Sequence, residues 1–430
     1  MANRTKKEAA LTPEEKLQQA LVPVEEQPYP VPGNWCWVYT PYLFTIDYGN
    51  GLSTKDLTDV GFPVFGANGQ IGYYTQFMYD EPQALMSCRG AYSGTMNISL
   101  PKAYVTSNSL IINSPVLKLN PKFICYMFKS QDIRNLISGT AQPQVTVQAF
   151  RSFPVPLPPL PEQQRIVARI ENLFAKLDEV KEKAQAVVDG YEDRKAAILH
   201  KAFTGELTAK WRKEQGIAEC NWIIKRFDDV ADIKSNLVNP KDFQDYPHIA
   251  PDNIEKRTGV LLEYHTIAED GVKSGKHRFY AGQILYSKIR PYLSKVVIVN
   301  FDGLCSADMY PITPKTDIDA HFLWYYMLSN EFLIQASTAG SRSLLPKINQ
   351  KELSSLKVPV TVAAEQKEVV VLLESLLRKQ QSIKESAESV LDQIDTMKKS
   401  ILARAFRGEL GTNDPSDEPA IELLKKVLLG

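Results

Sequence analysis

One long segment of this chain is written twice, and that limits its fold more than any other feature. Residues 155–207, VPLPPLPEQQRIVARIENLFAKLDEVKEKAQAVVDGYEDRKAAILHKAFTGEL, lie without a gap over residues 358–410, VPVTVAAEQKEVVVLLESLLRKQQSIKESAESVLDQIDTMKKSILARAFRGEL, at a constant offset of 203. Glu162 falls over Glu365, Gln163 over Gln366, Ile198 over Ile401, Phe203 over Phe406 and Gly205 over Gly408. Weaker matches continue upstream, with Pro143 over Pro346, Val145 over Ile348 and Phe150 over Leu353. A gapless match of this length marks an internal duplication.

Each copy reads as one long helix. Pro158, Pro159 and Pro161 suit a first turn, Glu162 suits the positive N-terminal end, and Gly205 and Gly408 suit left-handed stops. Apolar residues recur at spacings of four and three through Ile166, Ile170, Leu173, Leu177, Val180, Ala184, Val187, Tyr191 and Ile198, with Arg194 the one lapse. The second copy runs Val369, Leu373, Leu376, Gln380, Ile383, Ala387, Val390, Ile394, Met397 and Ile401. A heptad held over about five repeats predicts a coiled coil, roughly 60 Å long at the helical rise. Core positions of an ordinary helical domain would give the same stripe in one copy. Two such helices in phase, each longer than most globular helices, predict instead that they pack on each other. The expected seam sets Leu173, Val180, Val187 and Ile198 against Leu376, Ile383, Val390 and Ile401.

These signals divide the chain into an N-terminal extension with a short helix (1–30), a globular unit (31–154), the first long helix (155–207), a polar linker (208–220), a second globular unit (221–357), the second long helix (358–410) and a tail with a short helix (411–430). Both globular units open on Asn-Trp, at Asn34-Trp35 and Asn221-Trp222, and otherwise share little sequence. Short alternating runs rich in Gly, Pro, Tyr, Val and Ile read as α+β or mostly β.

Fifty Lys and Arg balance fifty Asp and Glu, so a basic surface has to be local. Residues 82–131 contain no acid but carry Arg89, Lys102, Lys118, Lys122 and Lys129. Residues 271–301 contain none either, and carry Lys273, Lys276, Arg278, Lys288, Arg290 and Lys295, with His277. Tyr92, Tyr104, Phe279, Tyr280, Tyr286 and Tyr292 are interleaved. Basic residues with aromatic neighbours are what a surface tracking DNA phosphates needs. The expected DNA contacts are Arg89, Lys102, Lys276, Arg278, Lys288, Arg290 and Lys295; the alternative for Arg89 and Arg290 is a buried strut within the domain.

Catalytic signatures are missing. There is no P-loop, no Asn-Pro-Pro-aromatic or Asp-Pro-Pro-aromatic element for a flipped adenine, and no glycine-rich turn suited to S-adenosylmethionine. The five histidines lack metal-ligand spacing, and the five cysteines, at 36, 88, 125, 220 and 305, form no CxxC pair. A reduced, cytoplasmic compartment is expected, with no membrane segment, because no stretch reaches the roughly 20 apolar residues needed to span a bilayer. The chain reads as a binding protein, with a DNA-free coiled-coil scaffold as the alternative and a stand-alone methyltransferase as a weaker one.

At PLPPLPEQQRIV (156–167) and ILHKAFTGEL (198–207), with the second start VAAEQ, the chain resembles the specificity subunit of Type I restriction–modification systems. The resemblance covers nearly the whole length, and FPVFGANGQIGYY, SCRGAYSGTM and GQILYSKIRPYLSKVVIV resemble phrases of that family's target recognition domains. It implies an α+β chain whose two recognition domains alternate with helices packed as an antiparallel coiled coil, in a pseudo-two-fold arrangement. It further implies an asymmetric bipartite target in double-stranded DNA and docking of two modification subunits, with restriction subunits in the full complex. S-adenosylmethionine, ATP and Mg would belong to those partners, and this chain would hold no cofactor or metal.

Overall fold

The computed structural model describes residues 12–139, 141–217, 221–340 and 346–429. Residues 1–11 of the expected N-terminal extension and 218–220 of the expected linker lie outside them. The chain divides into two compact units: one runs to Lys183 and is completed by the segment from Ser389 onward, and the other is Ala184–Glu388. Each unit therefore holds one globular domain, the start of the long helix that follows it, and the end of the other long helix.

In the first unit the globular domain is closed at its root by an antiparallel pair, Cys36–Tyr39 with Pro154–Leu157, directly before the helix. Above it lies a four-stranded antiparallel sheet in the order Thr45–Tyr48, Ser109–Asn113, Ala84–Ser87, Met96–Ile98. A three-stranded sheet follows the order Gly69–Tyr74, Phe62–Gly66, Tyr104–Val105, its last pair parallel. The core joins Met86, Leu110 and Ile112 of the sheet to Phe123 and Phe128 of the helix Pro121–Ser130, and continues into Ile166, Ile170, Leu402 and Phe406 of the long helices.

The second unit repeats this plan. Its root pair is Ile223–Arg226 with Lys357–Val360. Its four-stranded sheet runs Ala231–Ile233, Met309–Pro314, Ile284–Ser287, Val296–Ile298. Register shows that the two domains are built on one plan: Met86 lies between Leu110 and Met96, and Tyr286, two hundred positions on, lies between Tyr310 and Val296. The parallel pair recurs as well, Tyr104 beside Val64 and Leu304 beside His248. Little sequence is shared because strands ask only for apolar residues on the buried face, and many side chains meet that demand. The second domain departs at one edge, where Leu237–Val238 and Lys276–Phe279 extend the sheet to five strands.

The second long helix is unbroken, Ala363–Ala405. The first, expected to be continuous, is Leu160–Asp189 and Tyr191–Phe203, interrupted at Gly190. Arg194, the lapse in the heptad, explains the interruption. Its guanidinium donates to the Val187 carbonyl at 2.6 Å and to Gln380 Oε1 at 2.8 Å, and a Cβ on Gly190 would meet it at 2.6 Å.

Pairing is antiparallel within each unit. In the first, Lys398 Nζ donates to Asp178 Oδ1 at 2.5 Å and sits 5.2 Å from the Phe174 ring. In the second, Lys384 sits 5.0 Å from the Tyr191 ring, one turn from the Arg194–Gln380 contact. The expected seam needs correcting. Val180, Ile383 and Val390 are 44%, 47% and 37% exposed, while Leu173, Val187, Ile198, Leu376 and Ile401 are half-buried. The covered stripe is Val369, Leu373, Leu377, Gln380, Lys384, Ala387, Leu391, Ile394, Lys398, Leu402 and Ala405. From Leu373 to Ile394 it steps by four and three, a heptad that keeps Gln380, Ala387 and Ile394 of the expected one but takes Lys384 and Leu391 where Ile383 and Val390 were expected. The alternate slots are thus displaced by one residue, about 100° around the helix, which turns Ile383 and Val390 to solvent.

Candidate nucleic-acid interface

Two matching clasps position the domains. Glu162, in the first turn of the first long helix, is fully buried. Its carboxylate accepts from Trp35 Nε1 at 2.7 Å, Asn413 Nδ2 at 2.9 Å and Thr412 Oγ1 at 3.2 Å. Glu365 does the same in the other unit, accepting from Trp222 Nε1 at 3.0 Å, Thr208 Oγ1 and Thr361 Oγ1, each at 2.6 Å, and the Arg212 guanidinium. Each carboxylate thus ties the Asn-Trp start of a domain to residues just past the Gly-Glu-Leu end of the other helix. Gly205 and Gly408 make those ends with φ of +78° and +75°, and a Cβ on Gly408 would meet Pro32 at 2.3 Å. Burial pushes the Glu365 carboxyl up, but its hydrogen bonds outweigh burial and hold it below the usual carboxylate range. Neighbouring glutamines cap the same turns: Gln163 donates to the Pro158 carbonyl at 2.9 Å and Gln366 to that of Thr361 at 2.8 Å. Residues 209–214 of the expected linker form a short helix, which delivers Arg212 to its clasp.

A second matched pair lies at the loops after Ala84–Ser87 and Ile284–Ser287. In one domain Cys88 N–H donates to the Asn108 carbonyl and Gly90 N–H to that of Pro143, each at 2.9 Å. In the other, Lys288 N–H donates to the Asp308 carbonyl at 2.9 Å and Arg290 N–H to that of Pro346 at 2.7 Å. Each loop then makes a 3₁₀ turn, Gly90–Tyr92 or Pro291–Leu293, and leaves Tyr92 and Tyr292 49% and 45% exposed. Arg89 is exposed beside the first turn, and Arg290 beside the second. Among the described residues neither guanidinium has a hydrogen-bond or ion-pair partner. Arg290 holds φ at +50°, in the left-handed region that Gly90 occupies at +78°. A bulky residue there costs of order 1 kcal/mol or more and is typical of functional loops. Both arginines are therefore open cations on loops that also expose a tyrosine, not buried struts. Sequence reading named Arg89, Arg290 and both tyrosines but missed that the loops are equivalent. The signal was Ser87-x4-Tyr92 against Ser287-x4-Tyr292 at an offset of 200.

The remaining basic candidates separate by environment. Lys102 is exposed, 5.9 Å from the Phe77 ring. Lys276 is buried, its ammonium on Ser274 Oγ at 2.7 Å, and burial lowers its pKa. Lys288 donates to the Ala307 carbonyl and sits 5.3 Å from the Tyr310 ring; burial, then Lys347, lowers its pKa. Lys295 donates to the Pro251 carbonyl at 2.7 Å and pairs with Asp252 at 3.5 Å. These three lysines have partners inside their own domain. Arg278 is different: its guanidinium lies 4.9, 5.3 and 5.8 Å from the rings of Tyr280, Phe243 and Tyr246.

Two domains built on one plan, each clasped to duplicated helices and each exposing an arginine and a tyrosine on the same loop, define a two-domain recognition protein. The sequence model of the Type I restriction modification DNA specificity domain matches residues 42–188 and 219–392, and the chain belongs to that family. It is 34% identical to the Type I restriction enzyme EcoDI specificity subunit of Escherichia coli, over 92% of this chain and 95% of that one. The EcoBI specificity subunit of Escherichia coli is 26% identical, over 64% and 63% of the two chains. The fold is that of the HsdS subunit from Thermoanaerobacter tengcongensis, which matches with a TM-score of 0.62 at 18% identity over 90% of this chain and all of that one. The chain is a specificity subunit of a Type I restriction–modification system, with two specificity domains.

Proposed function

We propose that the chain reads an asymmetric, bipartite target in double-stranded DNA, one half-site through each globular domain. The long helices set the interval between the half-sites and dock two modification subunits. The observation that carries this reading is the pair of equivalent loops, with Arg89 and Tyr92 in one domain and Arg290 and Tyr292 in the other. The same loop gives each domain an open arginine for the DNA backbone, from adjacent positions, while the residues around it differ and so read different bases. Exposed apolar residues of the long helices, Val180, Val390 and Met397 in the first unit and Val371 and Ile383 in the second, supply surfaces on which modification subunits dock.

The chain does no chemistry by itself. It binds neither S-adenosylmethionine nor ATP and Mg; modification subunits bring adenine methylation, and restriction subunits bring ATP-dependent cleavage, in the cytoplasm. Methyl-transfer assays on the purified chain, alone and assembled with modification subunits, test this division. Transfer appears only in the assembled complex; transfer by the chain alone refutes the reading.

A further inference from the structure

Among the described residues, Arg278 stands apart from the other cations of the second domain. It lies on Lys276–Phe279, the strand that this domain adds at the edge of its sheet. In the first domain that edge is one isolated bridge, Tyr79 to Ala103, equivalent to Phe279 beside Gly303, and the position equivalent to Arg278 is Met78. Arg278 is thus private to one half of a duplicated molecule.

Its environment is built for a guanidinium. Rings of Phe243, Tyr246 and Tyr280 surround it at 4.9–5.8 Å, Nε is shut off from solvent without a hydrogen-bond partner, and among the described residues no carboxylate pairs with it. Stacking on aromatic faces holds the plane of the group and removes the rotamer freedom a free arginine would lose on binding. With Nε enclosed, the two terminal nitrogens remain to hydrogen-bond a ligand as a planar fork. That fork matches O6 and N7 on the major-groove edge of guanine, a bidentate pairing that distinguishes one base pair from the other three.

We propose that Arg278 is a specificity-determining residue, reading a guanine in the half-site recognised by residues 221–357. This rests on the DNA-reading function proposed above. A phosphate is the other planar-fork acceptor in DNA. It carries no sequence information and is served by the loop that both domains share, through Arg89 and Arg290. A fixed fork on an element that only one domain possesses is placed where the two half-sites differ.

Sequencing of methylated sites in cells carrying the intact system, with the native chain or Arg278→Gln, Arg278→Lys or Tyr280→Leu, tests this. Arg278→Gln and Arg278→Lys both lose discrimination at one G·C pair, by roughly 10- to 100-fold, while the other half-site and the interval stay unchanged. The unchanged half-site is the internal control for folding. Tyr280→Leu, which keeps the arginine but opens the ring cage, relaxes the same pair by less. If Arg278→Gln abolishes methylation altogether, the lysine and leucine variants decide by the same readout. An unchanged motif in every methylating variant overturns the proposal. So does uniformly weaker modification that Arg278→Lys restores, the behaviour of a phosphate contact. Exchange of residues 221–357 for another recognition domain separates the two levels: a motif indifferent to that exchange defeats the DNA-reading function itself, and a motif that follows it leaves only Arg278 in question.

Discussion

Replacing Glu365 with alanine removes the centre of one clasp, and the structure gives the size of the loss. The side chains of Glu365 and Arg212 are 2% and 11% exposed, so the pair is out of water. The carboxylate accepts from Thr208, Trp222, Thr361 and Arg212, which come from the end of one helix, the start of a domain, the turn before the other helix and the short helix at 209–214. Truncation leaves Arg212 with the Thr208 hydroxyl at 2.9 Å and the Gly205 carbonyl at 2.7 Å, but with no charge to balance it. Removing one partner of a buried pair costs about 3–5 kcal/mol, which in a unit of this size lowers the melting temperature by roughly 6–20 °C. Thermal unfolding measures the loss, and amide exchange locates it at 205–217, 221–226 and 361–366. In a double-mutant cycle, Glu365→Ala costs much less in an Arg212→Ala background. Because the folded pKa of Glu365 is depressed, its contribution is full above the unfolded carboxyl value near 4.3 and is lost as pH falls through the lower folded value. The difference between native and Glu365→Ala proteins therefore narrows in acid. A loss below about 1 kcal/mol, or one unaffected by the Arg212 background, would show that the clasp is incidental.

Arg89→Ala and Arg290→Ala each weaken binding of the assembled complex to all duplexes and reduce the slope of log affinity against log salt by about one unit; an unchanged slope removes that residue from the interface. Lys295→Ala, by contrast, lowers the melting temperature and leaves the salt slope unchanged, because its ammonium serves the Pro251 carbonyl and Asp252; the reverse result would make it a DNA contact. Inserting one turn, four residues, into the unbroken helix Ala363–Ala405 adds about 6 Å, or two base pairs. Methylated-site sequencing should show a longer interval between unchanged half-sites, and altered half-sites with the old interval would remove the helices from the measuring role.

What the sequence disclosed was set by how narrowly each position is constrained. Helix ends are narrow: the buried Glu162 and Glu365 and the left-handed Gly205 and Gly408 admit few replacements, so the repeat could be read at sight. The interior of the helices is loose. Apolar residues stand on both sides of the alternate slots, so the sequence placed Ile383 and Val390 in the seam where the structure covers the next residues, Lys384 and Leu391, and it placed Val180 there too, which lies outside it. Gly190 and Arg194 act together to interrupt the first helix, and neither alone announced the break. The duplication of the recognition domains was hidden because their common backbone is specified by burial pattern, with Met86 and Tyr286 filling equivalent positions. Counting charge found the basic windows but could not separate Lys288 and Lys295, held by carbonyls, from Arg89 and Arg290, which are open.

The most direct test of the account is to exchange residues 31–154 for the corresponding domain of another specificity subunit and to sequence methylated sites in cells carrying the system. The incoming domain has to supply the tryptophan equivalent to Trp35 and the strand equivalent to Cys36–Tyr39, while Glu162, Thr412 and Asn413 of the clasp, the helices and the second domain are retained. The account predicts that one half-site changes completely while the other half-site and the interval are kept. A target that stays the same, or one in which both halves change together, would contradict the assignment of one half-site to each domain.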